Sequence, residues 1–238
     1  MFKLCLQKPP KTDKNICAYS MRIISVHNTH NKRIQYAFNA YSVRNRRKRM
    51  KTVLICNQKG GVGKTLIADE LAFALERDKI PYNFFDLDDQ GSAIHQTNEN
   101  PDAVVQVVDT AGALQANMTK WIESADFVIV PTMMSNRDMN PLERMIQILE
   151  PYKKTKPTLY VFNRWNRFNI TRDFINWFNA KYPDLKTAII SDTTAFNQAG
   201  ACGISINEFQ SNNIGCKQIE YIYSSVKYEL NLKDRRTQ

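Results

Sequence analysis

Seven consecutive residues, Lys59-Gly60-Gly61-Val62-Gly63-Lys64-Thr65, carry most of the chemistry this chain can do. An apolar run, Val53-Leu54-Ile55-Cys56, leads into them, and an amphipathic run, Leu66 to Arg77, leads out. Strand, glycine-rich turn and helix, in that order, build a phosphate cradle. The glycines let the backbone curl until successive N–H groups converge on one hollow. The helix that follows aims the positive end of its dipole at the same hollow. In such a loop Lys64 meets the β- and γ-phosphates of a nucleotide, and the Thr65 hydroxyl sits on Mg²⁺.

Two apolar runs downstream end in acids. Tyr82-Asn83-Phe84-Phe85 continues into Asp86-Leu87-Asp88-Asp89-Gln90-Gly91. Val104-Val105-Gln106-Val107-Val108 continues into Asp109-Thr110-Ala111-Gly112. The carboxyl ends of strands are where open α/β sheets bind their ligands. A buried β-branched strand ending in Asp is the pattern of an aspartate that holds Mg²⁺, through water, beside a phosphate. Gly112 would let its loop approach the γ-phosphate.

The plain form of the loop wants glycine at position 58, where this chain has Gln58, and has no demand for Lys59. The form found here, KGGVGKT, resembles the deviant phosphate loop of the ParA/MinD family of ATPases. Asp86 to Gly91 resembles that family's DLDPQG switch, with Asp89 in place of the usual proline. The resemblance covers about residues 50–230. It implies a P-loop NTPase fold of the SIMIBI type, with ATP and Mg²⁺ as cofactors. It places Gly60, Gly61, Val62, Gly63, Lys64, Thr65 and Leu66 around the phosphates and Thr65 and Asp109 at the metal. Asn163 falls where the family has an amide on the adenine ring, offering that edge a donor and an acceptor. Lys59, Lys64 and Asp88 would serve hydrolysis. Lys59 would reach across a dimer to the partner's phosphates, and Asp88 would orient the attacking water.

The function implied is that of a ParA-like partition ATPase. ATP would close a homodimer that binds DNA without sequence preference. A centromere-binding adaptor would trigger hydrolysis and release. The setting would be cytoplasmic, at the nucleoid, with no membrane partner. A MinD-like positioning ATPase, a metal-cluster carrier and a small-molecule kinase are alternatives on the same fold. Asn231 to Gln238 holds one leucine, a poor membrane anchor. Cys202 and Cys216 do not supply the paired cysteines a cluster needs.

The elements that must hold these groups alternate strand with helix. That rhythm predicts a doubly wound, mostly parallel α/β sheet with helices on both faces. Further strands are expected at Phe127–Pro131, Thr158–Phe162 and Ala188–Asp192. Ile67, Leu71, Ala74 and Leu75 should face the sheet. Asn140 and Pro141 read as the N-cap and first residue of a helix bearing Leu142, Met145, Ile146 and Leu149. Another helix should start near Thr171. Residues 207–215 read as a loop. A final helix should bury Ile219, Ile222, Tyr223, Val226 and Leu230. Lys217, Lys227, Lys233, Arg235 and Arg236 are candidates to contact a phosphate backbone. Met133 and Met134 suit a partner surface or the core. Trp165, Phe168, Phe174, Trp177 and Phe178 suit core packing or base stacking.

The charge of +10 on 238 residues is uneven. Residues 1–49 hold 12 of the 33 Lys and Arg and one of the 23 acids, so they stand near +11 and the rest near −1. The basic character belongs to the leader, and total charge is no argument for DNA binding. The domain reading is therefore a basic leader over 1–49 and one ATPase-like domain over 50–238. The leader reads as a segment preceding a true start at Met50, as a nucleic-acid-binding arm, or as a targeting peptide, the first being favoured. Five scattered cysteines without C-x-x-C spacing exclude a disulfide framework and a zinc site.

Overall fold

The computed structural model describes residues 50–88, 93–111, 118–153 and 157–233. The leader, Asp89, Gly112, Arg235 and Arg236 lie outside the described residues. Six strands form one sheet: β1 (Lys51–Ile55), β2 (Tyr82–Asp86), β3 (Val105–Asp109), β4 (Phe127–Thr132), β5 (Thr158–Trp165) and β6 (Thr187–Ser191). Their order is β2-β3-β1-β4-β5-β6, and every pairing is parallel. β3 and β4 are buried along their whole length, which is why neither alternates apolar residues with exposed polar ones.

Helices cover both faces, as expected of a doubly wound sheet. On one face lie α1 (Lys64–Arg77), α5 (Ala195–Cys202), α6 (Ile206–Phe209) and α7 (Ile214–Leu230). Ile67, Leu71 and Leu75 of α1 share their core with Phe196, Ile206 and with Ile219, Ile222, Tyr223, Val226 and Leu230 of α7. On the other face lie α2 (Met118–Ser124), α3 (Asn136–Leu149) and α4 (Asn169–Lys181), with Trp121, Leu142, Met145, Phe174 and Phe178 in a second core. Met134 is buried there, so packing accounts for it. Among the described residues no helix is long and apolar enough to cross a membrane.

Two local expectations are corrected. α3 does not start at Asn140. Ser135 and Asp138 form a capping box one turn earlier, and Pro141 falls inside the helix. Residues 207–215 are not all loop: Ile206–Phe209 is a helical turn whose cap, Ser205, accepts the Glu208 N–H, and α7 begins at Ile214.

Register sets up the site. Ile55 and Asp86 both pair with Asp109, so three strand ends meet in one row at the carboxyl edge of the sheet. β1 lies between β3 and β4, where the winding changes direction, and this is the crevice in which such sheets bind ligands.

Candidate phosphate-binding site

The loop leaves β1 from a fixed platform. Cys56 N–H donates to the Ile129 carbonyl (3.0 Å). Asn57 is fully buried. Its Nδ2 donates to the Pro131 carbonyl (2.7 Å), and its Oδ1 accepts the Lys59 N–H (3.0 Å). Burial pushes the Cys56 thiol up to about 12, against a smaller pull from Lys64, so this cysteine packs and does not react.

Gly61 and Gly63 hold φ of +70° and +96°, a region where a side chain is strained. A Cβ on Gly63 would stand 2.2 Å from Asn163 Nδ2. Gly63 is also the N-cap of α1 and has no side chain to satisfy the first N–H groups, which leaves them for a ligand. Lys64 is almost wholly buried, and its Nζ donates to the Lys59 carbonyl (3.3 Å). Burial lowers its pKa, while Asp109 and Asp88 oppose the shift.

Thr65 Oγ1 donates to Asp109 Oδ2 (2.7 Å). The other oxygen of Asp109, Oδ1, is buried without a hydrogen-bond partner. Burial, with Asp86 and Asp88 adding, pushes this carboxyl up to about 7 despite the Thr65 bond and the Lys64 charge. An orphaned carboxylate oxygen beside a hydroxyl fits a hard, oxygen-seeking cation. Thr65 and Asp109 would hold Mg²⁺ there, and the ion would supply neutralising charge to bound phosphates. Asp86 caps its own loop by accepting the Asp88 N–H (2.9 Å).

These groups open onto a cavity of about 890 Å³. Gly60, Gly61, Gly63, Lys64, Thr65 and Leu66 form one wall, Asp88 and Ala111 a second, and Asn163, Arg164 and the turn from Ser191 to Asn197 a third. Val62 is buried behind the loop, so only its main chain is left for a ligand. Asn163 Nδ2 donates to the Val62 carbonyl (3.0 Å) and its Oδ1 accepts the Arg164 N–H (2.8 Å). The amide braces the phosphate loop as well as lining the cavity.

Lys59 points elsewhere. It is not on the cavity wall. Its Nζ pairs with Asp138, which is 1% exposed and also takes the Ser135 N–H (3.1 Å) and the Ser135 hydroxyl. Sequence reasoning missed Asp138, although its S-x-x-D capping spacing was there to find. It also missed Asn57, for which no local signal exists.

The basic residues of the C-terminal helix divide. Lys227 is not free for a phosphate: its Nζ meets the buried Asp78 Oδ2 (2.8 Å) and lies over the Tyr223 ring (4.5 Å). The Tyr223 hydroxyl donates to the same Asp78 oxygen (2.9 Å). Phe174 and Phe178 are core, whereas Phe168 is 72% exposed. Beside it, Arg164, Arg167 and Arg172 are exposed.

The parallel sheet, the glycine cradle and the Thr65–Asp109 pair define a P-loop nucleotide-binding domain. A family model, the CobQ/CobB/MinD/ParA nucleotide binding domain, matches residues 53–206, and the chain belongs to that family. A search of curated protein sequences finds no match. Among solved structures, apo McdA from Cyanothece is similar at 19% identity and TM-score 0.61, over 76% of this chain and 99% of that one. MinD from Pyrococcus horikoshii with Mg-ADP matches at 14% identity and TM-score 0.58, over 74% and 96%. A putative plasmid partition protein from Borrelia burgdorferi bound to AMPPNP matches at 14% and 0.56, over 74% and 99%. At such identities the likeness is one of fold.

Proposed function

We propose that this chain is an ATP-hydrolysing switch of the ParA type, whose Mg²⁺–ATP form is a homodimer that binds DNA without sequence preference. The observation that carries the reading is the division between the two lysines of the loop. Lys64 lies in its own cavity, and Lys59 lies outside it on Asp138. A lysine that its own cavity does not use is available to a second copy, where it would add positive charge at the γ-phosphate. One subunit then lacks a complete site, and ATP becomes the glue of the dimer. In the cavity, Lys64, the loop N–H groups and Mg²⁺ on Thr65 and Asp109 would neutralise the phosphates. Asp88 would orient water, and Asn163 would reach the adenine. An adaptor bound to the DNA cargo would trigger the slow hydrolysis at the nucleoid.

For the DNA half, support comes from the corner between β5 and α4. Arg164, Arg167 and Arg172 form no ion pair among the described residues, and Arg164 also borders the nucleotide cavity. Cations at that edge would neutralise phosphates by counterion release, which predicts a steep loss of affinity with salt. The decisive experiment measures random duplex DNA binding with and without Mg²⁺–ATP. Binding that is equal in both states, or nil in both, refutes the DNA half. Lys59→Ala should abolish ATP-dependent dimers in light scattering, and dimers that persist refute the cross-subunit role.

A further inference from the structure

The chain downstream of Asp88, at Ile94 and His95, is fastened by groups that stand outside the nucleotide cavity. Asp69 sits on α1, four residues beyond Thr65 and so on the same helix face, with its side chain almost wholly buried. Its carboxylate accepts the Ile94 N–H (3.1 and 3.0 Å to the two oxygens) and the His95 N–H (3.0 Å). The His95 ring returns to the same carboxylate, with Nδ1 2.8 Å from Oδ1. That ring is boxed in by Phe73, four residues further along α1, at 4.4 Å, by Phe84 at 5.5 Å and by Tyr82 at 6.5 Å. Its Nε2 lies 3.7 Å from Glu76 Oε1, which also accepts the Tyr82 hydroxyl (2.6 Å).

Past the ring the chain runs back along β2. Thr97 Oγ1 accepts the Asp86 N–H (3.1 Å), and Asn98 pairs with Phe84 through side chain and backbone (3.1 and 3.0 Å). At the near end Asp86 holds the Asp88 N–H. Asp88 is therefore held to the end of β2, and Ile94 and His95 are held to the helix whose first turn presents Lys64 and Thr65.

We propose that Asp69 and His95 are positioning residues for ATP hydrolysis: they clasp the chain that follows Asp88, at residues 94–95, to the phosphate-binding helix. The clasp rests on the ATP-hydrolysing reading above. Leaving a carboxylate this buried without its hydrogen-bond donors is costly. Ile94 and His95 are those donors, so the chain at residues 94–95 is fixed to the helix rather than to solvent. Small displacements of a group that orients the attacking water are costly, about a hundredfold for an ångström. Neither Asp69 nor His95 lies on the cavity wall. Loosening the clasp should therefore slow turnover and leave ATP binding alone.

The test uses the full chain. His95→Phe keeps a ring in the aromatic box and deletes the Nδ1 contact. His95→Asn sets an amide nitrogen where Nδ1 stood. Asp69→Asn removes the charge. The expected result is a kcat about tenfold lower for His95→Phe and Asp69→Asn, with KM for ATP within about twofold. His95→Asn should recover most of the loss. Hydrogen exchange over residues 86–98 should quicken about tenfold at Ile94 and His95 in Asp69→Asn, with the Asp88 amide following. Unchanged kcat in both variants overturns the clasp. So does a joint fall in kcat, ATP affinity and melting temperature without rescue by His95→Asn, which marks a tie that only holds the fold. If the unaltered chain hydrolyses no ATP, the functional reading fails on its own. Exchange then decides the clasp: faster exchange at Ile94 and His95 with none at Asp88 overturns it.

Discussion

Gly63→Ala isolates the closest contact in the phosphate loop. Two costs follow from the structure. At φ +96° an alanine is strained by about 1–2 kcal/mol. Its Cβ would also stand 2.2 Å from Asn163 Nδ2, so that amide must leave. The buried Val62 carbonyl then loses its donor, at about 1–3 kcal/mol. The sum is about 2–5 kcal/mol, and a domain of this size loses about 2–4 °C of melting temperature per kcal/mol. Thermal or urea unfolding followed by circular dichroism reads it. Gly61→Ala is the control: φ is +70°, but no atom lies within 4 Å of the added Cβ, so only the strain applies. The two alanines should differ by the cost of displacing Asn163. Adding Asn163→Ala to Gly63→Ala removes the overlap, so the double variant should be more stable than the summed single losses by about 1 kcal/mol or more. Additivity within about 0.5 kcal/mol, or equal effects of Gly61→Ala and Gly63→Ala, would refute the reasoning.

Further outcomes follow from Asp109, Lys227 and the leader. Asp109 has a folded pKa raised to about 7, above the ordinary carboxylate value of about 3.9. Between those values the unfolded chain ionises while the fold keeps its proton, so rising pH weakens the metal-free fold. Mg²⁺ needs the ionised form, so binding of Mg²⁺–ATP should expel a proton below pH 7 and tighten from about pH 6 to 8. Calorimetry at about pH 6 in two buffers of different ionisation heat reads that proton, and none released there refutes the assignment. Lys227→Ala should destabilise by about 1 kcal/mol, because the buried Asp78 loses one cation while Arg77 and the Tyr223 hydroxyl remain. Its effect on DNA binding should be no larger than that of a neutral surface change, and a specific loss of DNA affinity in a fully folded variant would restore Lys227 to the interface. Residues 50–238 alone should fold and bind ATP, and loss of binding on removing the leader refutes the proposed domain boundary.

The fold was legible where local chemistry decides it. Apolar runs, rich in β-branched residues except for the aromatic β2, marked every strand, and acids at the ends of β2 and β3 marked the carboxyl edge. The glycines and lysines of the loop carry their own geometry. What escaped were pairings that only the sheet order makes. Lys59 and Asp138 are 79 positions apart, and Lys227 and Asp78 are 149 apart. No periodicity connects them, and Lys227 looked like a free surface cation for that reason. The start of α3 was misplaced by a contest between two local signals. Asn140-Pro141 suits a helix start, but Ser135 and Asp138 satisfy two end donors reciprocally, and the helix tolerates Pro141 at the loss of one internal hydrogen bond.

Lys59 cannot serve two carboxylate-like partners at once, and this gives the proposed switch its energetics. In the single subunit its ammonium is held by Asp138, a charged hydrogen bond of about 1.5–3 kcal/mol. When Lys59 leaves, Asp138 is not orphaned, because the Ser135 N–H and hydroxyl still serve it and the first turn of α3 still faces it. The release is therefore affordable, unlike the stripping of a lone buried charge, which would cost about 3–5 kcal/mol. A γ-phosphate carries more charge than a carboxylate, so in the proposed dimer it would draw Lys59 from Asp138 only while it is present. In the proposed switch, the same Ser135–Asp138 box that sets where α3 begins would hold the lysine when ATP is absent and release it at a cost that one phosphate contact could offset.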